Sequence, residues 1–323
     1  MQYSEQTIYG INLILKRYAR FPRFLPLPCH MEHGWTPCAN SLVSDLGVDK
    51  PIMLVFSRRR LDAWKSAGKS PAYVMGAPFV HFRRLKKIIK SPNARGTIVF
   101  PSHSTADTKT KFDISKYCEE LKRLPKEFQP ITICLFWPDF IDKGADIYRK
   151  FGFTVTTVGP KFKKGLGFVK KFYKILSVHK FATSNEVGSF TFYAVDLKIP
   201  FFMTGEMPLN INTGGNRDMG DTARIIDELY GKKAVELFST GPVTKISPNQ
   251  EKFVADEVGI NDCLSPSQMN ELLWKTFKND KNFTRGTLVY WGVSIILTLG
   301  IAGPAFTLFR KTYGVRKKLI KRK

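Results

Sequence analysis

Seven consecutive residues, Thr183-Ser184-Asn185-Glu186-Val187-Gly188-Ser189, have the types and order of a phosphate cradle. They follow the apolar run Phe181-Ala182 and precede a stretch with helical character. Hydroxyls and a glycine at a helix start turn backbone N–H groups and the positive helix end toward an anion. Ser184, Asn185, Gly188 and Ser189 are therefore candidate ligands of a nucleotide phosphate, with plain helix capping by Ser184 or Asn185 as the alternative. A second candidate is Pro101-Ser102-His103-Ser104-Thr105, at the end of another apolar strand. His103 would donate to a phosphate or move a proton, and Ser102, Ser104 and Thr105 would share its rim. Asp139 and Glu206 also fall just past strand ends, where either suits a ribose or substrate hydroxyl. Near the start, Glu32 or His33 of Glu32-His33-Gly34-Trp35 would act as general base on an acceptor hydroxyl.

The elements that would position these residues follow from periodicity. From Gly96 to Gly205, short apolar strands alternate with helices of about ten residues. That alternation implies a parallel sheet covered by helices on both faces, a Rossmann-like unit. Ligands of such sheets bind beyond the carboxyl ends of the strands. Before it, residues 1–95 read as a smaller α/β unit: a helix to about Arg20, a proline-rich stretch, then the strands Pro51–Ser57 and Pro71–Phe79. A helix is expected over Arg58–Gly68 and a basic one over Arg83–Lys90. Residues 211–285 read as a glycine-containing polar loop followed by short helices, among them Thr222–Gly231 and Lys232–Ser239.

Charge narrows the partners. The chain has 51 Lys+Arg against 27 Asp+Glu, a formal charge of +24, which attracts polyanions. Nothing matches an RNP or zinc-finger pattern, so nucleic acid is not the expected partner. Cys29, His30, His33 and Cys38 lack the second ligand pair of a zinc module, and no two aspartates stand in Asp-x-Asp spacing, so no metal is expected. Five cysteines at irregular spacing fit a reducing cytoplasm. Neither a GxxxxGK[ST] loop nor a GxSxG elbow is present.

Residues 286–323 point to a membrane. Gly286–Phe309 carries no charge, and a span needs roughly 20 apolar residues. Basic residues flank it on both sides, and Gly300, Gly303 and Pro304 break its helix. A re-entrant or interfacial helix pair, a single tilted span and a buried core helix all remain open. The stretch Lys161–Lys180 is a second candidate, from Leu166 on a basic amphipathic helix for an anionic surface or an ordinary surface helix. The main body is expected on the cytoplasmic face of the inner membrane.

Several loops together carry a family likeness: His33-Gly34-Trp35, Gly76-Ala77-Pro78-Phe79, Pro101-Ser102-His103-Ser104-Thr105, Trp137-Pro138-Asp139 and Ser184-Asn185-Glu186-Val187-Gly188-Ser189. Over roughly residues 29–206 they resemble bacterial GT-B-type glycosyltransferases of capsule and lipopolysaccharide assembly. CMP-sugar-dependent transferases and CDP-glycerol glycerophosphotransferases look nearest. The resemblance implies two Rossmann-like domains, the first one reduced here, with a C-terminal membrane-associated segment. It implies transfer of a sugar or sugar-like phosphate unit from a nucleotide-activated donor to a lipid-linked glycan, with no metal or other cofactor. Ser184 and Ser189 would hold the nucleotide phosphate, His103 would assist the leaving group, and Glu32 or His33 would face the acceptor. Because residues 1–95 are short for a whole acceptor domain, the chain is expected either to carry a reduced half or to work with partner proteins of an assembly complex. A non-catalytic, transferase-like membrane scaffold is the competing expectation.

Overall fold

The computed structural model describes residues 6–37, 45, 48, 50–67, 70–105, 108–142, 144–162, 165–213 and 229–280. Helix α1 (Ile11–Tyr18) follows a 3-10 turn, Ile8–Gly10. Strands β1 (Cys29–Met31) and β2 (Ile52–Val55), helix α2 (Arg58–Ala67) and strand β3 (Ala72–Val74) come next, then helix α3 (Pro78–Leu85). The three strands form a parallel sheet with β2 in the middle. All four residues of β2 are buried, as the central strand of a parallel sheet requires.

Helix α3 departs from the expected Arg83–Lys90. It starts at Pro78, which suits the first helical position, and ends at Leu85, with Lys87 at φ 51°. The buried stripe that selects a helix here is Phe79, Val80 and Phe82; beyond it Ile89 is 73% exposed and has no core to join.

The second sheet contains β4 (Thr97–Val99), β6 (Ile131–Leu135), β7 (Thr154–Thr157), β8 (Phe181–Ser184) and β9 (Phe201–Met203). Their order is β7-β6-β4-β8-β9, all parallel. Every strand expected between Gly96 and Gly205 is present. The intervening helices are α4 (Ile114–Lys122), α5 (Trp137–Ile141), α6 (Gly144–Lys150), α7 (Gly167–Leu176) and α8 (Ser189–Asp196). Trp137 opens α5 and does not extend β6, because Pro138 behind it cannot donate to a sheet ladder. An unexpected antiparallel ribbon joins β5 (Thr108–Lys111) to β10 (Leu209–Asn212). Thr-Lys-Thr-Lys has no apolar face, so no hydrophobic alternation marked it.

Helix α7 settles one expectation. Val169, Phe172, Tyr173 and Leu176 are all buried against the core, so the apolar face of α7 itself packs on protein, while Phe162 and Val178 on either side of the helix are exposed. Each such side chain is worth about 1.5–3 kcal/mol when fully buried.

Helices α9 (Leu229–Phe238), α10 (Pro248–Val258) and α11 (Pro266–Asn279) complete the described chain. Gly231 lies within α9 and does not separate two helices there; most of Thr222–Gly231 falls outside the described residues. Ser247 with Gln250 and Ser265 with Gln268 form capping boxes ahead of prolines at the first helical position. Helices α10 and α11 then return to the first sheet. Leu264 N–H donates to Val74 O at 3.1 Å and Ala77 N–H to Val258 O at 2.8 Å. Tyr18 donates to Leu264 O at 2.7 Å, and Phe21 packs on Trp274 and Phe277. Gly259 ends α10 at φ 62°, where a Cβ would come 1.8 Å from Phe56 O. One hydrophobic core runs through both halves, from Ile11 and Leu54 to Phe201 and Leu273.

Segment Gly286–Phe309 and the basic tail lie outside the described residues. Among the described residues, no helix is long and apolar enough to cross a membrane.

Candidate active site

In the second sheet the chain leaves β4 toward β6 and β7 on one side, and reaches β8 and β9 on the other. Connections that diverge from neighbouring strands open a crevice at their carboxyl ends. Strands β4 and β8 are those neighbours, and the loops after them carry Ser102, His103, Ser184, Asn185, Gly188 and Ser189.

The crevice floor is a tight polar network. Asn185 Oδ1 accepts from Ser102 N–H at 3.0 Å and from Ser102 Oγ at 2.8 Å. Ser184 Oγ donates to Phe100 O at 2.6 Å and accepts from Glu186 N–H at 3.1 Å. Ser184 is fully buried and its single hydroxyl proton is committed. It therefore stitches β8 to β4 and has no donor left for a phosphate, which corrects its expected role. Asn185 is equally buried, and its Nδ2 has no hydrogen-bond partner among the described residues.

Glu32 is also corrected. It is 3% exposed, with Oε1 bound by Arg60 Nε at 2.6 Å and Oε2 by Phe56 N–H at 2.8 Å. Burial raises its pKa despite the Arg60 charge. A carboxylate whose two oxygens pin α2 and β2 to the β1 end cannot reach an acceptor. His33, next in sequence, reaches the surface.

Two histidines on the loops at this end come from different halves. His103 stands on Phe136 with ring centroids 4.1 Å apart, and burial together with Lys161 lowers its pKa to about 4. His33 is open to solvent in a crowded mouth; desolvation lowers its pKa, with His30 and Lys161 adding to this and Asp45 opposing it. Both imidazoles are neutral at pH 7, so each can accept a proton, and the Lys161 charge acts on both. Lys161 itself is fixed from the first half: its carbonyl accepts from Tyr9 N–H at 2.7 Å. Gly10 makes the approach possible, since a Cβ there would lie 2.4 Å from Gly165 O.

The loop carrying His33 is held over the start of α8. Trp35 N–H donates to Ser189 Oγ at 2.9 Å, and its indole N–H to Glu257 Oε2 at 2.6 Å. Arg59 clamps the same carboxylate at 2.6 Å and also donates to Thr36 O at 2.8 Å. Gly188 caps α8 with its own N–H on Thr191 Oγ1 at 3.3 Å.

No family model matches the sequence, and no curated protein does. Solved structures match weakly. S. aureus MnaA with UDP aligns at TM-score 0.40 and 12% identity, over 88% of this chain and 81% of that one. The UDP-GlcNAc 2-epimerase of Neisseria meningitidis bound to UDP-GlcNAc gives 0.38 and 11%, over 84% and 80%. The wall teichoic acid polymerase TagF, in a variant soaked with CDPG, gives 0.36 and 11% over 76% of this chain. The chain spans 65% of that polymerase chain. Likeness at this level carries no argument about chemistry, which rests on the chain's own residues.

The remaining expected residues sit apart from the crevice floor. Ser104 and Thr105 are exposed; Ser104 Oγ accepts from Thr110 N–H at 3.0 Å, and Thr105 N–H donates to Thr108 O at 2.9 Å. Both tie the loop after β4 to the β5 ribbon. Asp139 lies in α5, its pKa raised by burial and by Asp142, with Tyr148 as a further neighbour. Glu206 is an exposed partner of Lys116 at 3.1 Å on the outer surface. His30 bonds Asp45 at 2.8 Å, while Cys38 lies outside the described residues. Sequence reasoning missed two members. Lys161 was read only as the first residue of a basic stretch, and Glu186 was passed over within its own motif. Burial lifts the Glu186 carboxyl to about 7, against hydrogen bonds from Ser102 and Asn210. It lines a small cavity with Trp35, Met207, Asn210 and Val235.

Proposed function

We propose that the chain is a GT-B-type transferase that moves a sugar, or a sugar-like phosphate unit, from a nucleotide donor to a lipid-linked glycan. The observation that carries this reading is that His33 and His103, on loops from opposite halves, both feel the charge of Lys161, while the His33 loop is tied to the start of α8 by Trp35 N–H on Ser189 Oγ at 2.9 Å. A two-sided crevice with a neutral base on the acceptor side and a cation beside the donor side suits group transfer between two bound substrates.

In this reading the donor's phosphates lie at the start of α8, by Gly188 and Ser189, with Lys161 compensating their charge. His33 takes the proton of the attacking acceptor hydroxyl. The new bond forms between that oxygen and the transferred unit as the bond to the nucleotide phosphate breaks. His103, neutral, donates its ring N–H as a hydrogen bond to the departing phosphate, which leaves as an anion, and the proton held by His33 passes to solvent. The residues offer the charge compensation that a divalent ion gives elsewhere, so the transfer is proposed to run without metal. The body would work on the cytoplasmic face of the membrane, where nucleotide donors are made, in synthesis of a surface polysaccharide.

Calorimetry with CMP, CDP, UDP and GDP compounds tests the reading. One nucleotide should bind, and Lys161→Ala should weaken it at least about tenfold, the weight of one charge-assisted contact. An unchanged melting temperature in Lys161→Ala would show that the fold is intact. Absence of binding by every nucleotide would overturn the transferase reading in favour of a scaffold.

A further inference from the structure

The end of the molecule opposite the crevice carries a second feature. The loop after α3 runs back along the end of α7: Ser91 N–H donates to Ser177 O at 2.8 Å and Arg95 N–H to Val178 O at 3.1 Å. These segments precede β4 and β8, so they lie at the amino ends of the strands whose carboxyl ends form the crevice. Three aliphatic side chains stand out of this surface: Leu85 is 49% exposed, Ile89 73% and Val178 50%. Lys87 at φ 51° is the turn that presents Ile89 instead of continuing the helix.

Cations surround them. Lys86, Lys87 and Arg95 are exposed on the loop side, and Lys174 and Lys180 flank the end of α7 where Val178 stands. No acidic residue occurs in 84–95 or 170–180. The acids that border the patch are engaged: Asp196 is held by Arg83 at 2.9 Å and Glu251 by Lys198 at 2.9 Å. Among the described residues nothing covers the three aliphatic tips.

We propose that this surface docks on an anionic lipid bilayer, with Leu85, Ile89 and Val178 entering the headgroup region and the cations meeting lipid phosphates. Charge alone would serve nucleic acid as well. Aliphatic tips without an aromatic ring distinguish the two, since single-stranded nucleic acid is gripped by stacking and a bilayer accepts branched aliphatics. Each Lys or Arg near an anionic surface contributes enough for the cluster to hold the protein without a spanning helix. The crevice then faces away from the bilayer, so the glycan and not its lipid end would enter it. The docking surface does not depend on the transferase reading.

An environment-sensitive fluorophore on Ile89→Cys in the full chain reads the contact directly, with the labelled parent chain as control for native thiols. Phosphatidylcholine–phosphatidylglycerol vesicles should shift its emission to the blue, and pure phosphatidylcholine vesicles should not. Lys86→Ala with Lys87→Ala should lower partitioning onto the anionic vesicles about tenfold or more, and added salt should do the same. Vesicle binding with no blue shift would place the contact elsewhere on the chain and overturn the proposal. A shift produced equally by duplex DNA would overturn it in favour of nucleic acid.

Discussion

A carboxyl flanked by a hydroxyl and an amide, with little water around it, gives up its proton late. Glu186 is such a group, held near 7 instead of the ordinary 4.5. Its folded pKa lies above its unfolded one, so the stability it contributes is full below pH 4.5 and is lost as pH rises through 7. Glu186→Gln should therefore melt with the parent at acid pH and increasingly above it between pH 4.5 and 7. A constant difference in melting temperature over that window would show that Glu186 titrates normally. The seven-residue motif displayed its backbone-directing residues, Gly188 and the hydroxyls, but hid this acid. Burial is a tertiary quantity: nothing in the order of letters tells that Ser102 and Asn210 will surround residue 186. The same limit misled the reading of Glu32 and Ser184, which look reactive in sequence and are consumed by Arg60 and by Phe100 O.

Between elements, the connection that matters most is one carboxylate on α10. Glu257 receives Arg59 from α2 and the Trp35 indole from the loop after β1, and the side chains of Arg59 and Glu257 are only 11% and 5% exposed. Removing one member of a buried pair strands the other charge. Glu257→Ala should cost about 3–5 kcal/mol in urea unfolding. Adding Arg59→Met should recover part of that loss, because the stranded cation is gone. Strict additivity of the two substitutions would show that the pair is not coupled. The five parallel strands from Gly96 to Gly205 were legible because each carried an apolar run of the right length, whereas β5 carried none. The return of α10 and α11 to the first sheet was not, since capping boxes fix where a helix starts but not which surface it covers.

At the scale of the whole molecule, the two sheets share one core, and Tyr173 of α7 donates to Phe79 O of α3 at 2.9 Å across the junction. Such halves should melt together. Tryptophan emission and far-ultraviolet circular dichroism should trace a single urea transition for the described body. Two separated transitions would show that the sheets unfold independently. The charge balance of the sequence raised the expectation of an anionic partner. Only the fold gathered some of those cations around exposed aliphatic tips, by stopping α3 at Leu85 and laying the following loop beside α7.

The crossing of α11 onto α1 and β3 has a consequence in time. A chain emerging from the ribosome makes its first sheet long before Leu264, Trp274 and Phe277 exist to cover it. At about 5–20 residues per second, that interval is of the order of ten to forty seconds. Throughout it, Phe21 and the backbone at Val74 wait without their final cover. The newborn protein is thus exposed to chaperones and proteases at its N-terminal third, and release of that third into its finished form coincides with the last turns of α11.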